Sequence, residues 1–307
     1  MGKKHKRIKR ETLISYLMIA PEMILMLIFI FIPIVYAFYI SLFDWNAMGT
    51  KTFVGISNYL KMMQDLTFKS SLLVTGKYAL IYVLTVYVLS LAAAVFVNSI
   101  RSNKRQQACR IGIYLPNTVS TIVAATLWTF LFNSRNGYIN KILDGIGVGR
   151  QLFLGSRSQA LICVAIVGIW VVFGYNMIIF LSALKDVPSE YYEAAKIDGA
   201  NAVQRFFKIT LPSIKGTTIF VLVTSLIASF QAFDQIRVMT SGGPGKTTEV
   251  TVYYIFQLAF EQYRFGYAST IAVSLSLIIM VVTVIQMKLL RFKSVSYTHL
   301  TLPTIRL

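Results

Sequence analysis

The segment from Thr240 to Thr247 comes closest to a catalytic motif, because its Gly-Lys-Thr ending also closes the phosphate-binding P-loop. Thr240, however, occupies the place of the first glycine of that loop. A P-loop also requires a preceding strand and a helix that starts at the lysine, and this context is missing. We therefore interpret the segment as a tight turn rich in glycine and proline.

Other residues with catalytic or metal-binding chemistry are sparse and dispersed. The chain has two cysteines and two histidines, which lie far apart in sequence: Cys109, Cys163, His5 and His299. None of them has the spacing of metal ligands or of a disulfide framework. No nucleophile has a base beside it in sequence. We expect no catalytic residues, no metal site, no cofactor and no enzyme activity in this chain.

Residues 186–215, which we call the elbow, have a pattern suited to contact with a partner. Pro188 cannot continue a helix and Ser189 is a good N-cap, so a short helix is predicted to begin there, with Glu190 near its positive end. Asp198-Gly199 is predicted to break this helix, because glycine takes positive φ at low cost.

A second short helix is predicted after the break. Val203, Phe206, Phe207 and Thr210 fall at i, i+3, i+4 and i+7 and form a mostly apolar stripe, and Leu211-Pro212 is predicted to end the helix. Two short helices with alanines around the bend have a shape suited to entering a groove on a partner. The alternative is an ordinary amphipathic helix-turn-helix.

The composition indicates an integral membrane protein. Of 307 residues, 56% are hydrophobic and 14% are charged, and the mean hydropathy is +0.64, which is too apolar for a soluble domain. The formal net charge of +18 is attributed to orientation in the membrane and contact with anionic membrane lipid, and not to nucleic acid.

Six apolar segments are each close to or longer than the roughly 20 residues that a bilayer core requires. They are residues 13–43, 72–98, 111–132, 160–184, 217–236 and 268–290. The first is predicted to be an uncleaved span kinked by Pro21 and Pro33, because a secretory signal has a shorter apolar core. We expect an all-α transmembrane bundle of residues 12–293 after a basic cytoplasmic arm of residues 1–11.

Charge asymmetry orients this bundle. With the N-terminus inside, the inner segments carry eighteen Lys and Arg residues and the outer segments carry ten. The positive-inside rule favours this arrangement. It places the elbow in the cytoplasm and Thr240–Thr247 outside.

The elbow resembles the EAA loop of permease subunits of bacterial ABC importers. The residues that carry the resemblance are Glu193, Ala194, Ala195, Asp198, Gly199, Ala200, Phe206, Ile209, Leu211 and Pro212. Further segments resemble the first permease of carbohydrate importers, the glycerol-phosphate, lactose or maltose permease-like type: residues 41–45, 53–59, 230–236, 239–245, 248–249 and 265–269. The chain departs from that pattern at Lys215-Gly216, where many members have proline.

This resemblance implies a six-helix type I ABC importer permease fold in the bacterial inner membrane, with both termini cytoplasmic. The elbow is then the coupling helix loop that docks into one of two cytoplasmic ATP-binding subunits, which hydrolyse the ATP. A second, different permease forms the other half of the path. An extracytoplasmic solute-binding protein delivers a sugar or related polyol.

Two faces are implied to line the sugar path. On the fourth span Gly168, Val171, Val172 and Tyr175 share a face, and the fifth span offers Ala228, Ser229, Gln231 and Ala232. Tyr175 and Gln231 are candidates to bond hydroxyl groups, with Val172 and Ser229 beside them. The alternative is helix packing through small residues.

Two rival functions and one anomaly complete the interpretation. An ion-coupled secondary transporter normally carries charged groups deep in its bundle and often inverted repeats. A membrane-embedded enzyme needs a catalytic cluster. The sequence shows neither the features of a secondary transporter nor a catalytic cluster. Residues 294–307 look like a non-native tail, the alternative being a short disordered cytoplasmic tail.

Overall fold

Helices account for most of the chain in the computed structural model, which describes residues 2–46 and 49–290. The suspected non-native tail at residues 294–307 lies outside the described residues. The N-terminal half contains these helices: α1 Gly2–Met26, α2 Ile32–Ser41, α3 Ser57–Gln64, α4 Leu66–Ser99, α5 Asn103–Tyr114, α6 Thr121–Leu131 and α7 Tyr138–Gly145. Two short strands of two residues each, β1 Phe43–Asp44 and β2 Thr52–Phe53, pair antiparallel.

The C-terminal half continues with longer and shorter helices in alternation. They are α8 Ala160–Lys185, α9 Ser189–Ile197, α10 Ala202–Arg205, α11 Leu211–Ser213, α12 Lys215–Phe230, α13 Asp234–Met239, α14 Thr251–Phe256 and α15 Phe265–Leu290. Three π-helical turns lie at Leu27–Phe31, Phe206–Thr210 and Gln257–Glu261, and 3₁₀ turns lie at Leu115–Thr118 and Phe153–Gly155.

Within the described residues, four helical segments are long and apolar enough to cross a membrane, and two bent helix pairs raise that number to as many as six. The four segments are Thr12–Ser41, Leu66–Ser99, Ala160–Lys185 and Phe265–Leu290. The bent pairs are Asn103–Thr118 with Thr121–Leu131, and Ala202–Ser213 with Lys215–Phe230. Each predicted span therefore has a helical counterpart, although two differ in shape.

The third predicted span was wrong as a single helix over residues 111–132. Its two parts meet at 95°, and Val119 between them is extended, with φ −89° and ψ 134°. Pro116 in the 3₁₀ turn has no N–H to continue an α-helical ladder. Apolar composition alone does not register such a break, because hydropathy carries no information on the direction of the chain.

The fifth predicted span, residues 217–236, was also wrong at its end. Helix α12 stops at Phe230, and α13 begins separately at Asp234. Helix α13 packs against α6. Gln231 and Ala232 therefore lie beyond the helix rather than on its face.

The first span runs through both of its prolines. Pro21 lies inside α1, and Pro33 follows the π-helical turn, where the Ile32 N–H donates to the Leu27 carbonyl. Proline at position 33 cannot donate a helical hydrogen bond. The wider turn is a known way for a helix to absorb such a break.

The chain divides into two compact units. The first comprises the described residues of Met1–Tyr78, Thr121–Val167 and Phe230–Leu277. Its interior includes buried polar pairs: Gln235 donates to the Tyr78 hydroxyl at 2.8 Å, and the Thr251 N–H donates to the Thr75 hydroxyl at 2.9 Å. These bonds satisfy polar groups that burial would otherwise penalise.

The second unit comprises the described residues of Ala79–Ser120, Gly168–Ser229 and Ile278–Leu307. Its core is an apolar cluster drawn from α4, α8 and α12 together with the residue joining α11 to α12. We call it the inner cluster: Leu91, Ala94, Val97, Met177, Phe180, Leu181, Leu184, Ile214 and Val221. A close backbone approach joins α8 to α5, because a Cβ on Gly174 would lie 2.1 Å from the Ile113 carbonyl oxygen.

Candidate functional site

The first arm of the elbow is helix α9. It begins at Ser189, with Pro188 as the N-cap, so Ser189 is the first helical residue and not the predicted cap. Glu190 lies in the first turn and Lys196 in the last turn. Both charges oppose the partial charges of the helix ends and therefore stabilise this short helix.

The bend at Asp198-Gly199 is a Schellman motif. Gly199 has φ +77°. Its N–H donates to the Lys196 carbonyl at 3.1 Å, and the Ala200 N–H donates to the Ala195 carbonyl at 2.8 Å. This pairing satisfies the last carbonyl groups of α9. The predicted break is confirmed, and it has a defined geometry.

The second arm begins with a capping box. The Asn201 side chain accepts from the Gln204 N–H at 2.8 Å, and the Gln204 side chain accepts from the Asn201 N–H at 2.9 Å. Arg205 also donates to the Ala200 carbonyl. The Schellman motif and the capping box follow one another directly, so local hydrogen bonds hold the angle between the two arms.

The second arm ends at Ser213, one residue after the predicted end at Leu211-Pro212. The helical path runs through the π turn Phe206–Thr210 to Ser213. It then bends by 70° into α12. Pro212 lies within this path, in the turn Leu211–Ser213 just before the bend.

The two arms are linked to each other and to the inner cluster of the second unit. The Tyr192 and Thr210 hydroxyl oxygens lie 3.0 Å apart. Phe206 and Leu211 pack against the inner cluster, and Ile214 belongs to it. The elbow is therefore attached to the core helices through its second arm.

The outer surface of the elbow is apolar and exposed. Ile197, Val203 and Phe207 are 87%, 65% and 61% exposed. Among the residues that carry the family resemblance, Glu193, Ala194, Asp198, Gly199 and Pro212 are exposed, and Ala195, Ala200, Phe206, Ile209 and Leu211 are half-buried. Apolar side chains left uncovered on a structured loop are typical of a surface that a partner covers.

The predicted stripe on the second arm is divided. Phe206 is half-buried and Thr210 is buried, whereas Val203 and Phe207 point away from the core and are exposed. Phe206 and Phe207 are consecutive residues of the helical path and therefore point in different directions. One half of the stripe thus anchors the arm and the other half remains uncovered.

The predicted path residues of the fourth span lie on α8 in the second unit. Tyr175 is 46% exposed and Val172 is half-buried. Next to them, Asn176 is buried and donates to the Val172 carbonyl at 3.4 Å. The sequence analysis missed Asn176, although an amide within an apolar span is a recognisable signal.

The predicted path residues near the fifth span differ in environment. Ser229 is buried, and its hydroxyl donates to the Leu226 carbonyl at 2.7 Å. Gln231 is exposed and lies in the turn after α12. The Gln231 side chain is therefore accessible, whereas the Ser229 hydroxyl is already hydrogen-bonded within its own helix.

The sequence analysis also missed Asp65, which joins three helices in the first unit. One carboxylate oxygen accepts from the Thr67 N–H at 2.8 Å and the Phe68 N–H at 3.2 Å, and so caps α4. The other accepts from the Tyr254 and Tyr267 hydroxyls, each at 2.7 Å. An aspartate just before a long apolar helix is an N-cap signal that predicts the first pair of bonds.

Electrostatics keep Asp65 ionised. Burial alone would raise the pKa of its carboxyl, but the hydrogen bonds from Tyr254, Tyr267 and the two backbone N–H groups outweigh burial and lower the pKa below its ordinary value of 3.8. Each of these bonds favours the charged form. Burial, followed by the hydrogen bond to Asp65, raises the pKa of the Tyr254 hydroxyl.

Comparison with known proteins identifies the family. Residues 89–293 match the family described as binding-protein-dependent transport system inner membrane component. The chain is 32% identical over 284 residues to the probable ABC transporter permease protein YurN of Bacillus subtilis, covering 92% of this chain and 97% of that protein. It is 33% identical over 289 residues to the trehalose/maltose transport system permease protein MalF of Thermococcus litoralis, covering 92% and 96%.

A solved structure shows the same fold. The bacterial ABC transporter involved in the import of the acidic polysaccharide alginate matches with a TM-score of 0.81 and 24% identity, covering 94% of this chain and 98% of the matched chain. The predicted type I importer permease fold is confirmed, and the ion-coupled secondary transporter is not supported. This chain is a multi-pass membrane protein that belongs to the binding-protein-dependent transport system inner membrane component family of ABC permeases.

Proposed function

We propose that this chain is one of two different permease subunits of an ATP-driven importer for a sugar or a related polyol. The names of its relatives support the substrate class, since one transports trehalose and maltose and the structural neighbour imports alginate. ATP hydrolysis takes place in two separate cytoplasmic subunits. A solute-binding protein delivers the substrate from outside.

One observation carries this proposal: the elbow is locally rigid, exposed and attached to the core of its unit. Its Schellman motif and capping box fix the bend, and its uncovered apolar side chains offer a binding surface. We assign that surface to an ATP-binding subunit. Ile197, Val203 and Phe207 are the anchors that enter the partner's groove.

Force on α9 reaches the second arm through the bend and through the hydroxyl pair of Tyr192 and Thr210. The second arm passes this force to the inner cluster through Phe206 and Leu211. ATP binding shifts the permease between its two states only through contacts that differ between them. The rigid bend makes the position of α9 such a contact.

The orientation follows from the charge asymmetry. The basic arm, the elbow and the C-terminus face the cytoplasm of a bacterial inner membrane. Asp65 and the Thr240–Thr247 turn lie at the outer side, where the solute-binding protein arrives.

The proposed path uses Val172, Tyr175, Ser229 and Gln231. Tyr175 and Gln231 are the members with accessible polar groups, so they are assigned to the sugar hydroxyls. Replacing either by an apolar residue of similar size lowers affinity for the solute without altering assembly.

The test is uptake of labelled sugars by the assembled complex, with ATP hydrolysis measured in parallel. Gly199→Pro removes the positive φ that the bend requires, and Glu193→Lys reverses a charge on the exposed face of α9. Both variants are expected to abolish coupled uptake and to weaken binding of the ATP-binding subunits.

Matched controls are Gly216→Ala, a helical glycine with open space around it, and Asp44→Lys, an exposed acid outside the elbow. Neither control is expected to change uptake. If both elbow variants retained normal uptake and normal coupling in an assembled complex, the assigned role of the elbow would be wrong.

A further inference from the structure

An open cavity of about 580 Å³ lies where α4 ends and α5 begins. Its lining combines two guanidinium groups, one hydroxyl and an apolar wall: Arg101, Arg105, Ser102, Ile100, Ala108 and Cys109. All six residues belong to the second unit. The elbow surface and the proposed sugar path use none of them.

The cationic rim of this cavity is not neutralised within the chain. Arg101 and Arg105 are exposed, as is the neighbouring Lys104. Among the side chains of residues 12–46 and 49–290, none of the ion pairs includes these three. A bound anion would therefore replace water on the guanidinium groups without breaking an existing ion pair.

The apolar floor is held in place by hydrogen bonds of α5. Arg105, Ala108 and Cys109 fall at i, i+3 and i+4 and share one face. Beside this face the Gln106 amide donates to the Val97 carbonyl at 3.1 Å and accepts from Arg110 at 2.7 Å. These bonds fix the rotation of α5 and so keep its cavity face turned outward.

The cavity also lies at a membrane boundary. Ile100 and Arg101 follow directly after the apolar span Leu66–Ser99, and Cys109 packs against the inner cluster. A ligand in the cavity thus meets guanidinium groups on one side and apolar side chains continuous with the span on the other. This combination matches a molecule with an anionic head and an apolar body.

We propose that the cavity binds the phosphate headgroup of an anionic phospholipid in the cytoplasmic leaflet, with Arg101 and Arg105 on the phosphate and Ile100 and Ala108 against the start of the acyl chains. Arginine pairs with phosphate through parallel N–H donors. The cytoplasmic leaflet supplies anionic lipid at this depth. The inference rests on the proposed orientation, which places this loop inside.

A soluble phosphate ester is the other source of the same chemistry. It would use the two arginines but would gain nothing from the apolar wall. The position directly after the span therefore favours the lipid, and the experiment separates the two sources.

Cys109 in the cavity wall provides the readout. The chain has two cysteines, and the other, Cys163, is buried. The full chain carrying Cys163→Ala is placed in nanodiscs of phosphatidylcholine alone or mixed with phosphatidylglycerol, and the rate of maleimide labelling at Cys109 is measured. Phosphatidylglycerol is expected to slow labelling about 10-fold in the parent chain, and Arg101→Gln with Arg105→Gln is expected to remove most of this protection.

Arg135→Gln with Lys141→Gln is the matched control, because it removes the same charge from exposed residues of the first unit. Protection in this control should equal that of the parent. The proposal is overturned if phosphatidylglycerol protects the double arginine variant equally, if phosphatidylcholine protects as well as phosphatidylglycerol, or if glycerol 1-phosphate added to phosphatidylcholine discs protects at the same phosphate concentration.

The outcome is separable from the proposed function. Labelling of Cys109 by an impermeant maleimide in right-side-out and inside-out vesicles reports the orientation directly, and sugar uptake reports the transport activity. Labelling from the outer side would overturn the lipid site through the orientation on which it rests. Uptake that stays normal without lipid protection would overturn the lipid site and leave the importer assignment intact.

Discussion

The hydroxyl oxygens of Tyr192 and Thr210 lie 3.0 Å apart and join the two arms of the elbow across eighteen residues of chain. Thr210 is buried, and Tyr192 is half-buried. The bond closes a loop whose bend is already fixed at Gly199 by backbone hydrogen bonds. We therefore expect motion of the exposed first arm to reach the anchored second arm.

Removing this hydroxyl pair should uncouple the arms. Tyr192→Phe and Thr210→Val are each expected to cost about 1 kcal/mol of local stability and to lower the amount of sugar transported per ATP. The double variant should lose little more than either single variant, because both remove the same bond. The measurement is uptake and ATP hydrolysis in reconstituted vesicles.

Thr224→Val is the control for this cycle, because the Thr224 hydroxyl bonds within its own helix to Phe220. It should leave the transport ratio unchanged. Fully additive losses in the double variant would contradict a direct link between Tyr192 and Thr210.

The bend itself can be tested with a smaller change than proline. Gly199→Ala forces a side chain into φ +77°, which costs about 1–2 kcal/mol for an L-residue. The melting temperature of the purified chain should fall, and binding of the ATP-binding subunit should weaken. Gly216→Ala has open space around it and is expected to be neutral or slightly stabilising. Equal melting temperatures for the two variants would show that the positive φ is not required.

The contact between α8 and α5 predicts a sharp steric limit at Gly174. A Cβ there would lie 2.1 Å from the Ile113 carbonyl oxygen, so Gly174→Ala must separate the two helices and is expected to cost about 1–3 kcal/mol or more. Thermal unfolding of the chain in detergent measures the cost. Gly112→Ala, on α5 itself with no atom within 4 Å, should unfold like the parent. A Gly174→Ala variant as stable as Gly112→Ala would disprove the close approach.

Asp65 predicts how stability of the first unit changes with pH. Its folded pKa lies below 3.8, so the unfolded chain binds the proton more tightly and stability increases with pH between the two values. The contribution is complete above the unfolded pKa and is lost as pH falls through the folded pKa. Melting temperature measured across this acidic range should decline in the parent, and Asp65→Asn should remove part of the decline.

Asp44→Asn provides the comparison, because Asp44 is exposed and no hydroxyl group of the described chain donates to its carboxylate. Its acid profile should follow that of the parent. Tyr254→Phe removes one of the two hydroxyl donors to Asp65 and should give an intermediate slope. If Asp65→Asn left the acid decline of the melting temperature unchanged, Asp65 would not be the cause of that decline.

Some local features follow from residue type alone. The break at Asp198-Gly199 was predictable because only glycine reaches positive φ without steric cost. The apolar spans were predictable because bilayer thickness sets the length of a crossing helix. The capping box at Asn201 and Gln204 and the N-cap at Asp65 also have sequence signatures.

Other features depend on contacts between residues far apart in sequence. The bend of 95° in the third apolar segment and the early end of α12 both lie inside segments that hydropathy predicts as single spans. Hydropathy measures apolar content and carries no information on the direction of the chain. Pro116 marks the first break, but Pro21 and Pro212 lie within helices, and the presence of proline alone does not distinguish these outcomes.

The sequence by itself determined the membrane class, the elbow with its glycine bend and the family to which it belongs, because these depend on composition, local backbone preference and a long residue pattern. Only the tertiary structure decided which half of the elbow's apolar stripe is anchored. Phe206 packs against the inner cluster while Phe207, one residue later, remains exposed. Consecutive residues of a helix point in different directions, and the core against which Phe206 packs includes residues of α4, which lies far from the elbow in sequence.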